Sequence, residues 1–450
     1  MQVLSTYLLE SPDLSSTQLA ARLAAVRVAI STWLSDKGAT DADARSGSFE
    51  SLTQDGNGSF TREEYVVPVG TLQDVRLEEF TRSGQIFTTR LAAVSLSGRL
   101  RVYCTLTVVN AASVVAPLPI DPRCPAIIRA LLAQSADWSL SGTPIAEAKP
   151  QILTGKVGGR TLADEIRLLD RSLPIIAVSE IEGEQLWPKL ADNLAFDLAA
   201  LAKVVTIDDE ATWELSDQVG KLHSCYRGAV RLYWPPRKRA DGTTHFNSTV
   251  WTASVLVSSD KDGKGVSRFR STLRHLLMST AALSITPPHA IREIQDAVVR
   301  RQIEDLEARS TPDSEELAIA RLYIKENQDL KTRLEQLQDD LARTAARASA
   351  AEHALSQLKA PDLIEEEESA SEASPSEPAP GDVCFYKKIH SKSAYDVFVQ
   401  VDDCGHTSWQ GSAKADKARK GLERLTSRSD WKSLQHCGTC TGGGMWKVRW

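Results

Sequence analysis

The sequence predicts an α+β multidomain chain: a β-rich N-terminal domain, an α/β central domain, a long coiled-coil helix and a small C-terminal zinc-ribbon-like α+β module. Three observations carry this expectation. Strand and helix periodicities change in blocks along the chain, a sustained heptad pattern follows them, and the C-terminal end holds two close pairs of soft metal ligands, Cys404-Gly-His406 and Cys437-x-x-Cys440. At 450 residues and 42% hydrophobic content, the chain is long enough for about three cores.

Residues 1–145 make the expected first domain. Apolar residues recur at helical spacing from Ser15 to Leu34, behind Ser15, Ser16 and Thr17 as caps, which predicts an amphipathic helix. Segments rich in β-branched and aromatic residues follow at Glu64–Val69, Gln73–Phe80, Gln85–Val94 and Leu100–Val109, with Gly- and Ser-bearing turns between them. Neighbouring strands of this kind predict an antiparallel sheet.

Residues 146–290 alternate strands with helices. The apolar run Pro174–Ser179, a helix over Leu190–Ala202, a strand at Lys203–Asp208, a helix over Ala211–Val219, a strand at Gly228–Trp234 and a fourth strand at Thr249–Val257 predict a mainly parallel α/β sheet.

Residues 291–360 are almost all helix formers. With Leu334 at heptad position a, Asn327, Leu341 and Leu355 share that position, while Leu330, Leu337 and Leu358 fall at d. Glu326 at g faces Lys331 at the next e, the attractive arrangement for a parallel pair, and a lone Asn at a favours two strands in register. The segment predicts a parallel homodimer. A single helix packed on its own body is the competing arrangement, suggested by the alanine-rich stretch 342–354. Residues 361–382 are acidic and Ser/Pro-rich, too polar to bury a core, and predict a disordered linker. Its acids either keep it extended or dock on the basic tail that follows.

That tail, residues 383–450, carries twelve Lys and Arg against six Asp and Glu, a net +6 in a chain whose total is −6. A CxH pair and a CxxC pair, each at a turn beside a strand, can fill the four corners of a structural zinc site, so Cys404, His406, Cys437 and Cys440 are the expected Zn2+ ligands. His436 is the substitute for His406, and independent core thiols or a redox pair are the bland alternatives. A module this small also needs such a staple. Lys414, Lys417, Arg419, Lys420, Arg424, Arg428 and Lys432, interleaved with Trp409 and Trp431, suit phosphate contacts and base stacking. The alternative is aromatics filling a core and lysines solvating a helix face.

Other motifs are weaker. Thr154-Gly-Lys-Val-Gly-Gly-Arg-Thr161 lacks the Ser or Thr spacing of a phosphate loop and reads as a turn. His223 and Cys225 lack a third group to orient them as a catalytic dyad, and Asp208-Asp209-Glu210 reads as a helix N-terminal cluster.

The β-rich start, the α/β centre with Gly228-Ala-Val-Arg-Leu-Tyr-Trp-Pro-Pro236 and the C-terminal helix resemble uncharacterised bacterial multidomain proteins associated with antiphage defence, over residues 50–300. The resemblance implies a defence or nucleic-acid-sensing role, with other defence-system proteins as partners, and supplies no catalytic residue. Scattered cysteines, a start unlike a signal peptide and the lack of an apolar run of about 18 residues predict a cytoplasmic protein without a membrane span. The expected function is a dimeric nucleic-acid-binding or sensing protein. An enzyme acting on nucleic acid or nucleotide through the α/β domain, and a zinc-module adaptor for other proteins, are the alternatives.

Overall fold

The computed structural model describes residues 2–52, 56–82, 84–110, 120–238, 244–260, 263–309, 321–328, 330–334, 337, 341, 379, 381–411, 415–440 and 444–450. It is an α+β multidomain architecture with a β-rich N-terminal region.

The first region contains β1 (Gln2–Glu10), α1 (Ser16–Lys37), β2 (Ser46–Glu50), β3 (Asn57–Val67), β4 (Gly70–Phe80), β5 (Gln85–Leu96), β6 (Arg99–Asn110), α2 (Ala126–Gln134), β7 (Ser139–Leu140) and β8 (Thr143–Pro144). Its strands form one antiparallel sheet in the order β2-β3-β4-β5-β6-β1-β7-β8. Helix α1 starts with a reciprocal capping box between Ser15 and Gln18. Its apolar stripe, Val26, Ile30, Trp33 and Leu34, packs with Tyr7, Val75, Leu91 and Val102 into the largest core.

The central region contains β9 (Gln151–Leu153), α3 (Gly155–Arg167), β10 (Ile175–Ile181), β11 (Glu184–Gln185), α4 (Leu190–Asp197), β12 (Lys203–Ile207), α5 (Asp209–Val219), β13 (Val230–Tyr233), β14 (Arg237–Lys238), β15 (Thr244–His245), β16 (Ser248–Trp251), α6 (Ala253–Ser259) and α7 (Gly265–Ser284). The main sheet runs β16-β13-β10-β12-β9. Only β10, β12 and β9 are parallel; β13 and β16 are antiparallel, so the sheet is mixed where a mainly parallel one is expected. The expected fourth strand also stops at Trp251. The Thr252 hydroxyl caps the Val255 amide, and Ala253, Leu256 and Val257, spaced i, i+3, i+4, bury one face of α6. The two regions share a core, since Leu173, Ala199, Leu201, Met278 and Ala281 pack against the N-terminal sheet.

Helix α8 (His289–Arg309) does not begin as a free coiled coil. Ala290, Ile291 and Ile294 cover the second face of the N-terminal sheet against Leu72, Ala92 and Val94. Residues 321–328 and 330–334 are helical as well. There Tyr323, Leu330, Leu334, Leu337 and Leu341 are all more than half exposed. Asn327 is exposed and its amide donates to the Tyr323 carbonyl. Lys331, which the heptad assigns to an interchain pair with Glu326, is paired with Asp296 of α8. Leu355, Leu358 and the acidic linker up to residue 378 lie outside the described residues. Among the described residues, no helix is long and apolar enough to cross a membrane.

The C-terminal region contains β17 (Val383–Ser391), β18 (Asp396–Val401), β19 (Trp409–Gln410), α9 (Asp416–Thr426), β20 (Ser433–Cys437) and β21 (Met445–Arg449), with the antiparallel order β18-β17-β21-β20-β19. Helix α9 packs Ala418 and Leu422 on one sheet face with Tyr386, Phe398, Trp446, Val448 and Trp450. Gly421 permits this contact, because a Cβ there would lie 1.7 Å from the Asp396 carbonyl oxygen.

Candidate metal centre

The loop after β18 and the turn after β20 bring Cys404, His406, Cys437 and Cys440 together, with their ligand atoms all within 4.8 Å of one another. This cluster can hold a metal ion. Cys404 Sγ lies 3.8 Å from Cys437 Sγ, and His406 Nδ1 lies 3.6 Å from Cys437 Sγ and 3.4 Å from Cys440 Sγ. The sulfur separation is far beyond a disulfide bond. Gly405, at φ +71°, makes the sharp turn that aims Cys404 and His406 at one point. The Gly438 amide donates to the Ser408 carbonyl at 2.8 Å, tying the two loops together.

Burial pushes the Cys437 thiol up, but amide hydrogen bonds from Cys440 and Thr439 and the neighbouring thiols outweigh it and bring it down to about 6. Burial and those same neighbours push Cys440 up to about 12. One thiolate is thus favoured in a crowded thiol cluster, the electrostatic situation that a cation relieves. His436 turns elsewhere: its Nδ1 faces the Gln410 carbonyl at 2.8 Å and its ring packs beside Trp446.

The residues expected to touch nucleic acid fall on different surfaces. Lys417, Arg419, Lys420 and Arg424 are exposed on α9, which covers the core face of the sheet. Trp409 faces the other way, since it pairs with Cys437 and its register places it with Gln435, Lys447 and Phe385. Trp431 packs edge-on against Trp450, and Arg428 lies over the Trp450 ring while pairing with Asp430. Lys432 is exposed, and Lys414 lies outside the described residues.

The module also docks on the central region, a contact that sequence reasoning missed. Glu182, in the turn between β10 and β11, accepts from the Tyr395 hydroxyl and from Lys392 Nζ at 3.2 Å, and Arg424 Nε lies 3.7 Å away. Burial pushes its carboxyl up, but these donors outweigh it and hold it below the usual range. Beside it, His390 places Nδ1 3.3 Å from Glu184 and Nε2 3.1 Å from the Gln185 carbonyl. Ile389, Val399 and Val401 supply apolar contact to the core of β10, α4 and α6. The available signal was Glu180-Ile-Glu-Gly-Glu184, three acids around a Gly turn, but nothing in it names a partner some two hundred residues away.

The central region shows no catalytic dyad at His223 and Cys225. Cys225 is fully buried, its thiol pushed up to about 11 by that burial, and Tyr233 donates to the His223 carbonyl. The segment at Thr154 is a strand-to-helix junction where a plain turn is expected. Its place for an anion is taken by Asp208, whose two carboxylate oxygens accept from the Gly155 amide at 3.0 Å while one also caps Ala211 at 2.8 Å. No family model, curated protein or solved structure matches the chain.

Proposed function

We propose that the chain is a homodimeric nucleic-acid-binding protein whose C-terminal module is stapled by a structural zinc ion. A tetrahedral zinc with bonds of about 2.3 Å to sulfur and 2.0–2.1 Å to nitrogen has sulfur–sulfur edges of about 3.8 Å and sulfur–nitrogen edges of about 3.5 Å. The 3.8, 3.6 and 3.4 Å separations support that assignment and a zinc-ribbon-like reading of the module. All four ligands come from the protein, so the ion is a staple without an open position for a substrate. One zinc per chain, lost together with the module's fold in Cys404→Ser and Cys437→Ser, is the expected result. Full folding without metal refutes it.

The observation that carries nucleic-acid binding is charge left over after internal pairing. Among the described residues Arg419, Lys420 and Lys432 are exposed and form no ion pair, whereas Arg424 and Arg428 are paired. Binding of the full chain to DNA and RNA at about 50 mM salt, weakening steeply as salt rises, is the expected outcome. Absence of binding to any nucleic acid at that salt overturns the reading, and a partner bound with little salt dependence favours the adaptor alternative.

The exposed stripe Leu330, Leu334, Leu337 and Leu341 supports pairing of two chains as a parallel coiled coil. Sedimentation of a Leu334→Glu, Leu337→Glu variant at half the native mass tests it; an unchanged mass assigns the stripe to another role. The resemblance to defence-associated proteins extends the proposal to antiphage defence, tested by phage plating on cells carrying the native chain or Cys437→Ser.

A further inference from the structure

The C-terminal sheet has two unlike faces. One is filled by α9. Strand register places Phe385, Lys387, Val399 and Val401 on the opposite face, with Lys447 and Arg449 on β21, Gln435 on β20 and Trp409 on β19. Val399 and Val401 of β18 and Ile389 of β17 pack against the central region, while the Phe385 end of β17 and strands β21, β20 and β19 extend the face beyond those contacts. There Phe385 and Trp409 are partly exposed, with ring centroids 5.6 Å apart. Lys447 Nζ lies 5.6 Å from each ring. Every charged strand residue that the register assigns to this face, Lys387, Lys447 and Arg449, is cationic.

Resting on the nucleic-acid reading above, we infer that this open face is a stacking platform for a single-stranded nucleic acid, with bases on Trp409 and Phe385 and phosphates at Lys387, Lys447 and Arg449. The chemistry selects that occupant over others. A second copy of the face would set like charges against each other, and an acidic peptide would satisfy the lysines without using the two rings. A duplex keeps its base faces stacked inside, whereas a single strand offers them to aromatic side chains while its phosphates follow the cations. The platform is also separate from the α9 cations, which lie across the sheet.

The test uses the full chain and a labelled oligothymidylate of about 12 nucleotides, within the range of one small binding fold. Trp409→Ala and Phe385→Ala are each expected to weaken binding by about tenfold, and Trp409→Phe to retain most of it. Lys447→Gln should lower the salt slope by about 0.7. Arg419→Gln with Lys420→Gln should leave the dependence on Trp409 intact. Equal metal content and thermal unfolding identify variants that remain folded. Binding insensitive to both rings but lost in the α9 variant overturns the platform while nucleic-acid binding stands, and so does binding of duplex alone. Competition by polyglutamate matched in charge, as effective as the oligonucleotide, also overturns it. No binding to any nucleic acid removes both readings.

Discussion

Replacing Glu182 by Gln tests how the C-terminal module is held to the body. The substitution keeps the side chain's shape but removes the charge facing Lys392 Nζ at 3.2 Å and Arg424 Nε at 3.7 Å, and weakens the acceptor for Tyr395. Glu182 is 29% exposed, so solvent screens these contacts and each counts as a surface pair of about 0.2–1 kcal/mol. Together they contribute about 1–2 kcal/mol, or about five- to thirtyfold in the ratio of docked to undocked module. Ile389, Val399 and Val401 remain in place, so docking should weaken without vanishing. Hydrogen exchange read by mass spectrometry over β18 and α6 should accelerate by that factor in Glu182→Gln, and the gap between variant and native chain should shrink at about 1 M salt, where the Debye length is about 3 Å. The folded carboxyl lies below its unfolded value of about 4.3. Its contribution is therefore fully present above that value and lost as pH falls through the folded one. Loosening confined to the turn at residues 182–184, with β18 and α6 unchanged, would refute the argument.

Other outcomes follow from single contacts. Asp208→Ala removes the acceptor shared by the Gly155 amide that opens α3 and the Ala211 amide in the first turn of α5, and should cost about 1–4 kcal/mol of stability in denaturant unfolding; a loss under about 0.5 kcal/mol would show that the shared cap contributes little. Gly421→Ala drives a methyl group into the Asp396 carbonyl, so α9 must lift from β18, and the module's near-ultraviolet circular dichroism should collapse while the N-terminal sheet persists. An unchanged spectrum would refute that packing. In chelated native protein, iodoacetamide should label the partly exposed Cys404 well before Cys225, which is fully buried and pushed up to about 11. Peptide mass spectrometry showing Cys225 modified first would contradict its burial.

The Cys/His cluster was legible because a CxH and a CxxC pair encode ligand geometry within a few residues. The helix over Ser16–Lys37 and strands β4 to β6 were legible for a similar reason, since capping and strand patterns are local, whereas the strand expected at Glu64–Val69 meets only the end of β3. The apolar run Trp251–Val257 misled because strand and helix share its composition; Thr252 as a cap decides for the helix after Trp251. Asp208 at Gly155 was invisible, since it joins positions more than fifty residues apart through tertiary structure. Interleaving alone does not say which C-terminal aromatics share a surface with the lysines, but alternation along the strands separates them. Tyr386, Trp446 and Val448 form one parity set and Phe385, Lys387, Lys447 and Arg449 the other, and strand pairing turns that parity into two faces.

The placement of the ligand cluster explains why one face can remain open. The module's apolar core is built from β17, β18, β20, β21 and α9, and it needs only one side of the sheet. Strand β19 has two residues, too few to hold an edge by backbone pairing alone, and its Trp409 contributes to the face that α9 does not cover. The loop leading to β19 carries Cys404 and His406, while Cys437 and Cys440 lie at its pairing partner β20 and the following turn. The cation proposed there would tie the short edge strand to the sheet without requiring apolar burial on its outer side. Packing that edge with side chains would cover Phe385 and Trp409; joining it through the proposed metal would leave both rings at the surface, beside Lys447. The proposed staple and the proposed platform would therefore be parts of one arrangement, in which coordination replaces the hydrophobic layer that a binding face cannot carry.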